Sequence, residues 1–151
     1  MVDTPRPHHG RDTLRAAFPP PQAPAPSNVP LARGRLQDVL PDLGQDVTYV
    51  AVRKIVLPPG GTTGWHYHPG RLLVVVDQGV LTHTYADLNA ETITAGNCLV
   101  EPRGAEHVHI GTNLEDTPLV MHAVYFQPDA QSPLAVQVPG PETPEEAAAQ
   151  Q

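Results

Sequence analysis

Apolar residues recur along this chain in short runs, some alternating with polar residues and some apolar at every position, and turn residues interrupt them about every ten positions. The first run, Val47–Leu57 (VTYVAVRKIVL), is rich in β-branched residues and stops at Pro58-Pro59-Gly60-Gly61. A shorter run, Thr62–His68, is closed by Pro69-Gly70. Leu72–Val76 (LLVVV) is apolar on both parities, which predicts a strand buried on both faces. Asp77-Gln78-Gly79 turns the chain into Val80–Tyr85, a loop around Asp87–Asn89 leads to Thr92–Thr94, and Ala95-Gly96 turns it into Cys98–Glu101. Pro102-Arg103-Gly104 precedes His107–Ile110, and Leu119–Gln127 closes the series before Pro128. The pattern predicts about eight strands, no helix among them, and an all-β sandwich or barrel. A jelly-roll closure suits strands that are apolar on both faces or carry inward polar groups.

Proline divides this picture. Of 19 prolines in 151 residues, eight fall in residues 1–30 and three in 139–151. Proline removes backbone donors and fixes φ, so residues 1–30 are expected to be a disordered or draped extension, 31–138 the barrel, and 139–151 a short tail. In that tail Thr143-Pro144-Glu145-Glu146 and three alanines fit a capping box on a helix too short to be stable alone. The net charge is -7, and after Arg71 the one basic residue is Arg103 against eleven acids, which argues against a nucleic-acid partner. No apolar run of ~18 residues is present to span a membrane. The best signal-like segment, Leu14–Phe18, is too short and holds Arg15, so a cytoplasmic location is expected. Cys98 has no disulfide partner and reads as a small buried hydrophobe.

Histidine supplies the candidate chemistry. Six of the eight histidines lie between residues 66 and 122, while His8 and His9, in the extension, read as incidental. On a strand, residues i and i+2 share a face, so His66 projects with His68 and His107 with His109. Two such pairs meeting inside a small barrel would offer neutral imidazoles, common ligands of divalent transition metals. His122, in LVMHAVYF, is the candidate general base if it faces the barrel, and His83 is either inward or solvated. Trp65 and Tyr67 flank His66 and should face away from it. Arg71 and Arg103 lie in turns and read as solvated.

The segment Gly60–Gly70, GGTTGWHYHPG, with Gly79 beyond it, resembles the first motif of the cupin superfamily, and Gly96–His107 matches the second, G-x5-P-x-G-x2-H. The string GWHYHPG is similar to a subgroup of small single-domain bacterial cupins. This resemblance implies a jelly-roll barrel holding one metal ion, with His66, His68 and His107 as ligands. Two positions depart from the family pattern. The family glutamate falls at Leu72, or at Leu73 in the other register, and neither is acidic. The family asparagine falls at Gly111, whereas Asn113 lies four residues after His109. The third ligand is therefore His107 or His109, with His107 favoured by its spacing to Pro102 and Gly104. Glu101 is a candidate replacement for the lost carboxylate but reads more simply as a surface charge at a strand end.

A site of three histidines brings no ligand charge, so a +2 ion in a barrel would call for an anionic ligand. Open coordination positions mark a catalytic site. Cupin dioxygenases resemble this arrangement, which leads to the expectation of an Fe(II)-dependent oxygenase acting on a small anionic or chelating molecule. Zinc, manganese and nickel are the alternative ions. The alternatives are a metal-dependent isomerase, cyclase or lyase, and a non-catalytic small-molecule binder. Small cupins commonly pair, so a homodimer is expected, with residues 31–46 as a candidate arm.

Overall fold

The computed structural model describes residues 25–44 and 46–142. His8, His9 and the candidate C-terminal helix lie outside them.

Among the described residues ten strands form, all paired antiparallel: β1 (Ser27–Arg35), β2 (Tyr49–Leu57), β3 (His66–Tyr67), β4 (Arg71–Gln78), β5 (Val80–Tyr85), β6 (Ala90–Thr94), β7 (Cys98–Glu101), β8 (His109–Thr112), β9 (Leu119–Gln127) and β10 (Val136–Gln137). One sheet has the order β1-β2-β9-β4-β7 and the other β10-β3-β8-β5-β6. Their inner faces supply a common core: Leu57, Leu72, Val74, Val76, Leu119, Met121 and Ala123 from the first, Leu81 and Ile93 from the second. This is the all-β jelly roll the apolar runs predict.

Three expectations change. β1 starts at Ser27, so the barrel sheet reaches four residues into the stretch read as an extension. β4 is not buried on both faces: Leu72, Val74 and Val76 are buried, while Leu73 and Val75 are half-buried on the outer side. Cys98 is exposed, because β7 turns Leu99 and Glu101 inward and Cys98 and Val100 outward.

Two glycines fix the ends of β4. Gly79 joins β4 to β5 with φ at 84°, a left-handed conformation that favours glycine. At Gly70, a Cβ would stand 2.2 Å from the carbonyl oxygen of Phe126, so only hydrogen lets β4 approach β9 there.

Candidate metal centre

His66 and His109 are direct partners in the β3–β8 register and share the inner face. His68 follows β3 by one residue and returns to that face. Glu101 ends β7 beside Pro102 and is also turned inward. The four side chains are buried, and one ligand atom from each lies within 4.8 Å of all the others.

Each imidazole is oriented by the backbone. His66 Nδ1 lies 2.8 Å from the carbonyl oxygen of Gly64, His68 Nδ1 2.7 Å from that of Leu134, and His109 Nδ1 2.9 Å from that of His107. A carbonyl oxygen only accepts, so each Nδ1 carries the proton and each Nε2 presents a lone pair in the neutral ring. Those Nε2 atoms converge: His66 and His68 approach to 3.1 Å, and Glu101 Oε2 lies 2.9 Å from His68 Nε2 and 3.1 Å from His109 Nε2. Three lone pairs and a carboxylate oxygen facing one another repel unless a cation or protons stand between them.

The surroundings sharpen this. Burial pulls the His66 pKa down to about 4, outweighing its bond to Gly64, with the neighbouring imidazoles adding to the depression. Burial alone would raise the Glu101 carboxyl, but His109, His68 and His83 together hold it well below the usual carboxylate range. Burial would likewise lower His109, yet its contact with Glu101 wins and raises it. Without a cation, protons therefore hold the cluster together, chiefly through the His109–Glu101 pair. The donor set suits a divalent transition ion: three imidazoles and one carboxylate, each imidazole anchored through its other nitrogen.

His66 and His68 stand where the sequence reading puts them. His107 does not: its imidazole is 44% exposed, 3.7 Å from the carboxylate of Glu106, and only its backbone carbonyl serves the cluster. His109 takes its place, because the Gly104–His107 turn carries the chain two residues further before β8 turns inward. Asn113, four residues on, was the signal for this register. It is fully buried, donating to the carbonyls of Leu57 and Thr117 and accepting from the Glu115 amide. His122 lies on the outer face of β9, between Lys54 and Val75, while Met121 and Ala123 face the barrel, so it cannot act as a base in the site. Trp65 and Tyr67 face away from the cluster, and Gly140 packs against the Trp65 ring. Arg103 pairs with Asp46 at the surface.

Glu101 is not the surface charge that its strand-end position suggested. It is 6% exposed and sits directly opposite Leu72 in the β4–β7 register. The family glutamate position and Glu101 are thus cross-strand neighbours on one face, with Cβ atoms typically ~5 Å apart. The carboxylate stands one strand to the side of the family position, on β7 instead of β4.

A small cavity of about 40 Å³ adjoins the cluster, walled on its other sides by Leu72, Val74, Leu81, Met121 and Ala123. A second cavity, about 190 Å³, shares the walls of His66, His68 and Tyr125 and opens past Thr62, Asn28 and Gln137.

A family model for the cupin domain matches residues 53–125. No curated protein matches the sequence. Among solved structures, a cupin-like protein from Thermotoga maritima shares 26% identity, with 66% of this chain and 71% of that one covered and a TM-score of 0.53. A cupin domain from Bordetella pertussis shares 24%, covering 70% and 97%, with a TM-score of 0.52. An oxalate oxidase in complex with the substrate analogue glycolate shares 21%, covering 76% and 55%, with a TM-score of 0.55. This chain spans about half the length of the oxalate oxidases it matches. Barrel, family match and structural neighbours agree: residues 53–125 match a cupin domain, and the barrel shares the fold of cupin-domain proteins.

Proposed function

We propose that the protein is a mononuclear metal enzyme acting on a small molecule, with the ion held by His66, His68, Glu101 and His109. The observation that carries this reading is the convergence of three backbone-anchored Nε2 lone pairs on one buried carboxylate oxygen. Four protein atoms leave a six-coordinate ion two positions for exogenous ligands, which suits a chelating substrate or a substrate together with O2. The ion would supply Lewis acidity or one-electron chemistry there. We retain an Fe(II)-dependent oxygenase as the leading reaction, by likeness to cupin dioxygenases.

Glu101 supplies the negative charge that three histidines lack, so the site no longer calls for an anionic substrate. The cavity beside the cluster holds only a water or two. The bulk of a substrate would lie in the adjoining cavity, whose lining includes no arginine, lysine or acid. A neutral or metal-chelating molecule fits it best. The same neutral lining favours a second reading, a metal-dependent isomerase, cyclase or lyase.

Oxygen uptake separates the two. The oxygenase reading expects anaerobically purified, iron-loaded protein to consume O2 with a chelating substrate, and His66→Ala to abolish it. Turnover without O2 uptake overturns the oxygenase in favour of the second reading.

A further inference from the structure

His83 is a fourth buried histidine in the barrel and is not one of the four convergent ligands. It lies in the middle of β5, paired with Gly111 of β8 and Glu91 of β6, and is 2% exposed. Its ring stacks on that of His109, centroids 4.6 Å apart and planes tilted by 31°. Its Nε2 lies 3.2 Å from Glu101, and the oxygen it meets is Oε1. The other oxygen, Oε2, is the one that faces His68 and His109. The two carboxylate oxygens therefore have separate surroundings: Oε2 looks into the ligand cluster and Oε1 looks at His83.

The 3.2 Å contact is not well aligned, and both nitrogens of His83 are buried without a hydrogen-bond partner. A buried imidazole in that condition is costly, and a small rotation of the carboxylate or of the ring converts the contact into an Nε2–H donation to Oε1. We propose that His83 is a positioning residue for the metal centre, holding Oε1 of Glu101 so that Oε2 alone is presented to the ion. The inference rests on the metal reading above. A carboxylate that is free on both oxygens can chelate an ion with both and close a coordination position. One whose far oxygen is held binds through a single atom and leaves that position for substrate. Stacking against His109 limits how far the His83 ring turns, so the donor stays aimed at Glu101 rather than at the cavity.

The test is cobalt(II) binding to the full chain, with the dissociation constant read by competition against a chromophoric chelator and the coordination read from the visible d–d absorption. Wild-type protein is expected to take up one cobalt per chain. His83→Ala is expected to bind ~10–100-fold more weakly, the range for loss of a ligand's supporting partner, with a shifted d–d spectrum as Oε1 joins the coordination. His83→Gln, which returns an N–H donor, is expected to recover most of the affinity and the wild-type spectrum. Should His83→Ala not fold, His83→Met, similar in volume and without a donor, takes its place in the comparison with glutamine. Unchanged affinity and spectrum in the alanine or methionine variant overturn the proposal alone, as does a glutamine variant no better than either. A wild-type protein that takes up no cobalt overturns the metal reading and this one with it.

Discussion

At Glu101 one carboxylate meets three imidazoles in a pocket otherwise lined mainly by apolar side chains, and neither lysine nor arginine lines that pocket to balance its charge. A bound cation is what that arrangement stabilises most. Because a metal binds the folded chain, ion at 100 times its dissociation constant adds about 2.7 kcal/mol to stability. Chelator treatment of metal-loaded protein is expected to lower its melting temperature by several degrees, and Glu101→Gln to remove most of that difference. Scanning calorimetry with and without chelator checks both.

His66 gives a pH dependence in the metal-free protein. In the fold its pKa is about 4 against 6.5 for a free histidine, so over that window the unfolded chain binds the extra proton. Stability therefore falls as pH falls, by about 1.4 kcal/mol per pH unit for one proton and about 3 kcal/mol across the whole window. His109, raised in the fold, contributes its share below its unfolded value and loses it as pH rises, so it does not cancel the slope. Glu101, depressed, gives up its share only below the ordinary carboxylate range. Urea titrations from pH 6.5 down to 4.5 are expected to show this slope, and His66→Gln to flatten it. At this scale the sequence made His66 and His68 plain, because an HxH pair between turns has one reading on a strand. It misled at His107 and His109, since the family spacing and the asparagine spacing pointed to different residues.

At the scale of elements, parity decided what was legible. β5, β7 and β9 run over the residues the apolar runs predict. Which face of each strand points inward was hidden in Cys98-Leu99-Val100 and Leu119–Gln127, where both parities are apolar. That ambiguity placed Glu101 outside and His122 inside, the reverse of the fold. β1 was missed because its nine residues are all exposed and joined to the barrel mainly through the β2 ladder, so no buried stripe marks them. The register gives a direct test of the displaced carboxylate. Glu101→Leu is expected to lose stoichiometric metal, and the double variant Leu72→Glu/Glu101→Leu to regain it, since the two positions share a rung and a face. A double variant that binds no better than Glu101→Leu would show that the site needs its carboxylate on β7.

Across the whole molecule, the fold class and the cupin likeness were readable from turn spacing and two glycine-histidine motifs, whereas the inward place of Glu101 required the register between two strands distant in sequence. The described residues contain no helix long and apolar enough to cross a membrane. β1 is an edge strand that leaves Val29 and Leu31 about half exposed, at 50% and 52%. A strand of this kind invites pairing with another copy of the chain. Light scattering is expected to give the mass of two chains, and charged substitutions at Val29 and Leu31 to shift it toward one.

His66, His68, Glu101 and His109 are expected to hold a single metal ion, and elemental analysis of anaerobically purified wild-type, His107→Ala and His109→Ala proteins checks this. One equivalent of metal is expected in the wild type and in His107→Ala, and almost none in His109→Ala. A metal-free wild type, or metal lost with His107 and kept without His109, would contradict it.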